Sequence, residues 1–180
     1  MIDGHIHLEY GDYTLEYIRK NDMIKILFVC HGNICRSPMA EFVMKDLVQK
    51  AGLEDEFEIA SAATSSEEIW GGRGNPVYPP ARKVLREHGL DPDGKRARRT
   101  TRDDYNYYDY LIGMDSENMW YMKRIYGGDP DGKISLLLDY CGRQGQEVAD
   151  PWYTDNFDET WRDVLQGCKG FLKYLQREEL

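Results

Sequence analysis

Apolar residues recur along this chain with two periods, and the alternation between them outlines the fold. Lys25-Ile26-Leu27-Phe28-Val29 holds an unbroken apolar run, the pattern of a strand buried on both faces of a parallel sheet. From Pro38 to Val48 the apolar positions move to one face of a helix. Glu56–Ala60 reads as a second strand, followed by a long polar, glycine-containing loop from Thr64 to Val77. A helix is expected from Pro79 to His88, with Pro80 near its start and Gly89 just past its end. Tyr110–Met114 gives a third strand, Ser116 caps a helix running to about Tyr126, and Ile134–Leu138 gives a fourth strand. A final helix opens near Asp158, where Trp161, Val164, Leu165, Cys168, Phe171, Leu172 and Leu175 recur at three and four residues. Strands alternating with helices predict an α/β domain with three layers, α/β/α, around a four-stranded parallel sheet with right-handed crossovers. No internal repeat or low-complexity segment interrupts the pattern.

The turn after the first strand carries the clearest chemistry. In Val29-Cys30-His31-Gly32-Asn33-Ile34-Cys35-Arg36-Ser37-Pro38, a cysteine ends the strand and an arginine six positions later opens the helix. Such a turn lies at the carboxyl edge of a sheet, where open α/β folds bind ligands. Converging backbone N–H groups and the positive end of the helix suit a phosphate dianion. Gly32 and Asn33 are the residues that most readily take left-handed backbone angles. Arg36, folded over the cradle, offers a planar two-pronged donor to phosphate oxygens. The same field favours a thiolate, which makes Cys30 a nucleophile for a phosphomonoester. Ser37 sits where its hydroxyl either caps the helix or donates to the Cys30 sulfur. Against this stands the common buried cysteine with no chemistry. The coincidence of strand, Gly-Asn and Ser-Pro at one turn weighs toward the phosphate loop.

Expelling an alkoxide or aryloxide needs a general acid, and Asp150 in Ala149-Asp150-Pro151-Trp152-Tyr153 is the candidate. Pro151 biases Asp150 toward extended backbone, and Trp152 and Tyr153 supply an aromatic wall. Asp-Pro followed by aromatics is equally the signature of an ordinary loop.

With these residues in place, the chain resembles the low-molecular-weight protein tyrosine phosphatases from Ile24 to about Leu175. The resemblance makes Cys30 the nucleophile, Arg36 the phosphate-binding arginine, Ser37 the loop serine and Asp150 the acid. His31, Gly32, Asn33, Ile34 and Cys35 complete the phosphate loop. By the same likeness Asn33 holds the loop with help from Ser61, Asp115 buttresses Arg36 or the loop, and Trp70, Trp152 and Tyr153 line the mouth. The implied reaction is hydrolysis of phosphotyrosine monoesters through a cysteinyl-phosphate, with no cofactor and no metal. The implied partners are a phosphotyrosine-containing protein or peptide, and inorganic phosphate or another oxyanion in the loop. A protein arginine phosphatase on the same fold and a catalytically silent phosphate sensor are the alternatives. Phosphoarginine-specific relatives carry threonine at the position of Ile34 and often phenylalanine at that of Trp152, so this chain favours phosphotyrosine. Cys141 and Cys168 fall too late for the resolving pair of an arsenate reductase.

Composition narrows the field further. The chain has 180 residues, enough for one domain with its own core, and 41% of them are hydrophobic. No run approaches the roughly 20 apolar residues of a membrane span, which leads us to expect a cytoplasmic protein without a membrane partner. A net charge of −9 argues against nucleic acid. Four cysteines point to a reducing compartment, and Cys35 near Cys30 is either a reversible disulfide partner or a packed thiol. Lys95, Arg96, Arg98, Arg99 and Arg102 form a basic cluster that is either a solvated face or an attractant for acidic phosphopeptides. Tyr105, Tyr107, Tyr108 and Tyr110 cluster around the third strand without an assignable role. A monomer or weak dimer is expected.

Residues 1–22 form an extension ahead of the domain at 23–180, for which Met23 would serve as a start. Asp3-Gly4-His5-Ile6-His7 resembles the opening of the polymerase-and-histidinol-phosphatase metal-dependent phosphoesterases. Beyond His5 and His7 only His31 and His88 remain, too few for such a cluster, so the segment reads as vestigial.

Overall fold

The computed structural model describes residues 23–178; the His5/His7 segment lies outside them. Four strands, β1 (Ile24–Cys30), β2 (Phe57–Ala63), β5 (Tyr110–Gly113) and β6 (Ile134–Leu136), form one sheet in the order β2-β1-β5-β6. All three pairings are parallel. Strand β1 is central, and its alternate side chains enter opposite cores. Ile26, Phe28 and Cys30 belong to one cluster, Leu27 and Val29 to the other. That is why its sequence is apolar throughout instead of alternating.

Helices α1 (Arg36–Lys50), α2 (Pro79–Glu87) and α6 (Phe157–Glu178) cover the first face through Met39, Val43, Leu85, Val164, Cys168 and Phe171. Helices α3 (Arg102–Tyr107) and α4 (Ser116–Tyr126) cover the second through Tyr105, Met122 and Tyr126. The three-layer α/β/α architecture expected from the pattern is therefore present. Each large side chain sealed in these layers, such as Phe28 or Phe171, contributes on the order of 1.5–3 kcal/mol. Helix α6 lies tight against the turn at Leu137–Cys141 because Gly167 leaves room for it; a Cβ there would meet Leu137 Cγ at 2.6 Å.

Several boundaries differ from the sequence reading. Helix α1 begins at Arg36, as the turn reading has it, and runs on to Lys50, two residues past Val48; Pro38 fits its first turn, where no amide donor is needed. The fourth strand stops at Leu136 and continues as a 3-10 turn through Cys141. The cap of α4 is Asp115, not Ser116: its Oδ1 accepts the Asn118 N–H at 2.7 Å. The loop at 64–77 contains a small hairpin, β3 (Ile69–Trp70) against β4 (Arg73–Gly74). Helices α3 and α5 (Pro151–Thr154) were not expected.

Consecutive strands β1 and β2 sit side by side, and the chain then returns across β1 to place β5 on its other flank. The connections leaving β1 and β5 therefore depart to opposite faces, opening a crevice at their carboxyl ends. The loop 30–36 and Asp115 both stand there.

Candidate active site

The loop from Cys30 to Arg36 is shaped by Asn33. Its φ of 58° lies in the left-handed region that asparagine tolerates, whereas Gly32 is outside that region. Three side-chain bonds hold it: Nδ2 donates to Ser37 Oγ and to Ser61 Oγ, each at 2.9 Å, and Oδ1 accepts the Arg98 N–H at 3.2 Å. Gly32 serves a different purpose, the close approach of a neighbour, since a Cβ there would lie 3.2 Å from Glu68 Cγ.

This scaffold surrounds the Cys30 sulfur with donors. The Asn33 N–H points to it at 3.3 Å, and Ser37 Oγ lies 3.0 Å away. Because Ser37 Oγ already accepts from Asn33, its own hydrogen is available to the sulfur, with the Ala62 carbonyl at 3.4 Å as its alternative. Ser37 thus does not cap α1. Cys35 is the cap residue and contributes no side-chain bond, so the first amides of the helix remain for an oxyanion.

Arg36 reaches across the crevice. It is 3% exposed, and its Nη1 donates to Asp115 Oδ2 at 2.6 Å and to the Val148 carbonyl at 3.0 Å. Its Nη2 donates to Asp150 Oδ2 at 3.2 Å. Burial works against the guanidinium charge, but Cys30, Asp115 and Asp150 outweigh it and hold the group above its ordinary value. Asp115 divides its two oxygens between capping α4 and fixing Arg36, which ties the loop to the far side of the switch point. Asp150 divides likewise: Oδ1 accepts the Trp152 N–H at 3.1 Å and Oδ2 faces Arg36. Burial first, then Cys30 and Asp150, pushes the Cys35 thiol far up, which keeps it protonated beside the Cys30 sulfur. All four cysteines are free thiols.

A cavity of about 170 Å³ opens over the loop, walled by Cys30, His31, Gly32, Ile34, Cys35 and Arg36 below and by Asp150, Trp152 and Tyr153 on one side. Glu67 and Glu68 form the other side. This is well below the roughly 300–1,000 Å³ of pockets for drug-sized ligands, and it suits one phosphoryl group with a flat substituent. Trp152 and Tyr153 stand as an exposed rim, and Trp152 leans on Tyr78 with ring centroids 5.3 Å apart. Tyr78 in turn donates its backbone N–H to the Ile34 carbonyl at 2.9 Å. Trp70, expected at the mouth, stands on the β3–β4 hairpin, 73% exposed, and is not among the residues lining the cavity. Among the described residues no group of three or more His, Cys, Asp or Glu side chains is placed to hold a metal, and no helix is long and apolar enough to cross a membrane.

The low molecular weight phosphotyrosine protein phosphatase model matches residues 25–180. The chain belongs to this family. It is 39% identical over 158 residues to low molecular weight protein-tyrosine-phosphatase YfkJ of Bacillus subtilis, covering 87% of this chain and 99% of that one. It is 37% identical over 152 residues to the low molecular weight phosphotyrosine protein phosphatase of Gallus gallus, covering 82% and 93%. The crystal structure of YfkJ superposes with a TM-score of 0.83 at 38% identity, covering 88% of this chain and 98% of that one.

Within this phosphatase fold, some contributors to the site had no readable signal. Glu67 and Glu68 were part of an undifferentiated polar loop, and Val148 contributes only a carbonyl. The basic cluster, which reads in sequence as a charged face, is largely a set of braces. Lys95 Nζ donates to Glu41 and to the Ser61 carbonyl, Arg96 to the Gly74 carbonyl, Arg98 to Asp104 and Arg99 to the Thr64 carbonyl. Lys95 thereby supports β2 next to Ser61, behind the phosphate loop.

Proposed function

We propose that this protein hydrolyses phosphotyrosine in proteins or peptides, with Cys30 as nucleophile, Arg36 as phosphate clamp and Asp150 as general acid. The observation that carries this reading is the convergence on one cavity of a donor-ringed sulfur, a guanidinium held by Asp115 and Asp150, and the carboxyl group of Asp150 in the cavity lining. The apolar walls at Ile34 and Trp152 suit an aryl ring.

In the first step the Cys30 thiolate attacks phosphorus, the phosphorus–oxygen bond to the tyrosine breaks, and the Asp150 proton passes to the departing oxygen. The loop amides and Arg36 neutralise the equatorial oxygens. In the second step Asp150, now a carboxylate, takes a proton from water as that water attacks the cysteinyl-phosphate. Inorganic phosphate leaves, and the sulfur recovers its electron pair, stabilised by the Ser37 hydroxyl and the Asn33 N–H. A catalyst that depends on a free thiolate suits the reducing cytoplasm.

Aryl phosphates of graded leaving-group pKa test the assignment of the acid. For Asp150→Ala, kcat should fall by about 10²–10³ with poor leaving groups and much less with activated ones. An equal loss across the series would remove Asp150 from proton transfer to the leaving group.

A further inference from the structure

We propose that Glu67 and Glu68 form an acidic wall that makes this protein prefer phosphotyrosines flanked by lysine or arginine; this specificity rests on the phosphotyrosine reading above. The lining of the cavity is chemically mixed: besides the loop and Asp150 it holds an aromatic pair, Trp152 and Tyr153, and an anionic pair, Glu67 and Glu68.

The anionic wall is anchored to the phosphate loop. The Thr64 N–H donates to the Cys30 carbonyl at 2.9 Å and the Ser65 N–H to the His31 carbonyl at 3.1 Å, fixing the backbone just before the two glutamates. Glu67 Oε2 lies 2.9 Å from His31 Nε2, and Glu68 Oε2 accepts Asn75 Nδ2 at 2.7 Å while its stem rests against Gly32. An amide that donates one hydrogen bond leaves the Glu68 carboxylate its full charge.

Among the described residues neither glutamate forms an ion pair with a lysine or arginine. Arg36 is held by Asp115 and Asp150, Lys95 by Glu41, and Arg98 by Asp104. Arg73 pairs with Trp70 across the small hairpin and does not line the cavity. Once the loop amides and Arg36 engage the phosphoryl group, the side chains flanking the tyrosine meet Glu67, whose side chain is 71% exposed, and Glu68 beneath it. A cation there is attracted, and an acidic flank is repelled both by this wall and by the chain's net charge of −9.

Three phosphotyrosine peptides differing only in flanking lysines, serines or glutamates test the wall. In the wild type, kcat/KM should fall in the order lysine, serine, glutamate. About tenfold should separate the extremes at low ionic strength, mostly in KM, and the gap should narrow with added salt. Glu67→Lys should reverse the order and Glu68→Gln should compress it. Each ratio is taken within one variant, so a general loss of activity cancels. Equal or inverted rates in the wild type, or an order unchanged by Glu67→Lys, would overturn the acidic wall while leaving the phosphotyrosine reading intact. Turnover of none of the three, alongside hydrolysis of a phosphoarginine peptide, would overturn both.

Discussion

Two thiols in this protein are almost equally hidden and lie in opposite surroundings. Cys30 is 3% exposed and Cys168 is 0% exposed, both within the same core cluster. Around Cys168, on α6, the one hydrogen-bonding partner among the described residues is the Ala40 carbonyl at 3.7 Å, an acceptor, and burial pushes the thiol far up. Around Cys30 stand an amide N–H, a serine hydroxyl and, across the cavity, a guanidinium. The proposed nucleophile is thus set apart from the core thiol not by burial but by whether the enclosing groups are donors or acceptors.

The sharpest break of this comparison is exchange of each sulfur in turn. Cys30→Ser should lower aryl phosphatase turnover by at least about 10⁴-fold, because an alkoxide is not available at neutral pH. Substantial activity in that variant would place the nucleophile elsewhere. Asp115→Asn keeps the shape and the cap on α4 but removes the anion that fixes Arg36. We expect kcat/KM to drop by about 10–30-fold and competitive inhibition by inorganic phosphate to weaken in parallel. Wild-type phosphate affinity would show that Arg36 is held without it.

Cys168→Ala should leave turnover near wild type and lower stability by about 1–2 kcal/mol, read from the urea midpoint. The smallest effect is alkaline. Cys35 and Cys168 keep their protons in the folded state far above the ordinary thiol value of 9.0, whereas the unfolded chain releases them near it. Their contribution to stability is therefore complete below about pH 9 and is lost as pH rises beyond it, by roughly 1 kcal/mol per thiol at pH 10. Unfolding midpoints at pH 7.5 and 10 should show this, and Cys168→Ala should reduce the difference. An unchanged difference in that variant would assign the alkaline loss to other groups.

The parts of the molecule legible in sequence are those governed by short-range pattern. The apolar run of β1 and the stripe from Trp161 to Leu175 each obey one period, so their burial followed directly. Cys30, Asn33, Arg36 and Ser37 are close in sequence, and their turn could be read as a unit. Contacts across the switch point could not be read so, since Arg36 meets Asp115 and Asp150 from 79 and 114 residues away. The family resemblance was needed to place Asp115 beside Arg36; Asp150 stood out from its Asp-Pro-aromatic setting, but its contact with Arg36 was not anticipated. Helix α3 escaped because Arg102–Tyr107 has one buried side chain, Tyr105; its start is marked instead by the Thr101 N–H donating to Asp104 at 2.9 Å. Ser116 resembles a cap as well as Asp115 does, and only the position of Asn118 separates them. The acidic wall lay in a loop whose polarity said nothing of which residues face the cavity.

The central claim is that phosphoryl transfer passes through the sulfur of Cys30. Rapid acid quench of the protein during turnover of an aryl phosphate, followed by peptide mass mapping, tests it directly. One phosphoryl group on the peptide containing Cys30, absent in Cys30→Ser, is the predicted result. Phosphorylation of another residue during turnover, or its persistence in Cys30→Ser, would contradict it.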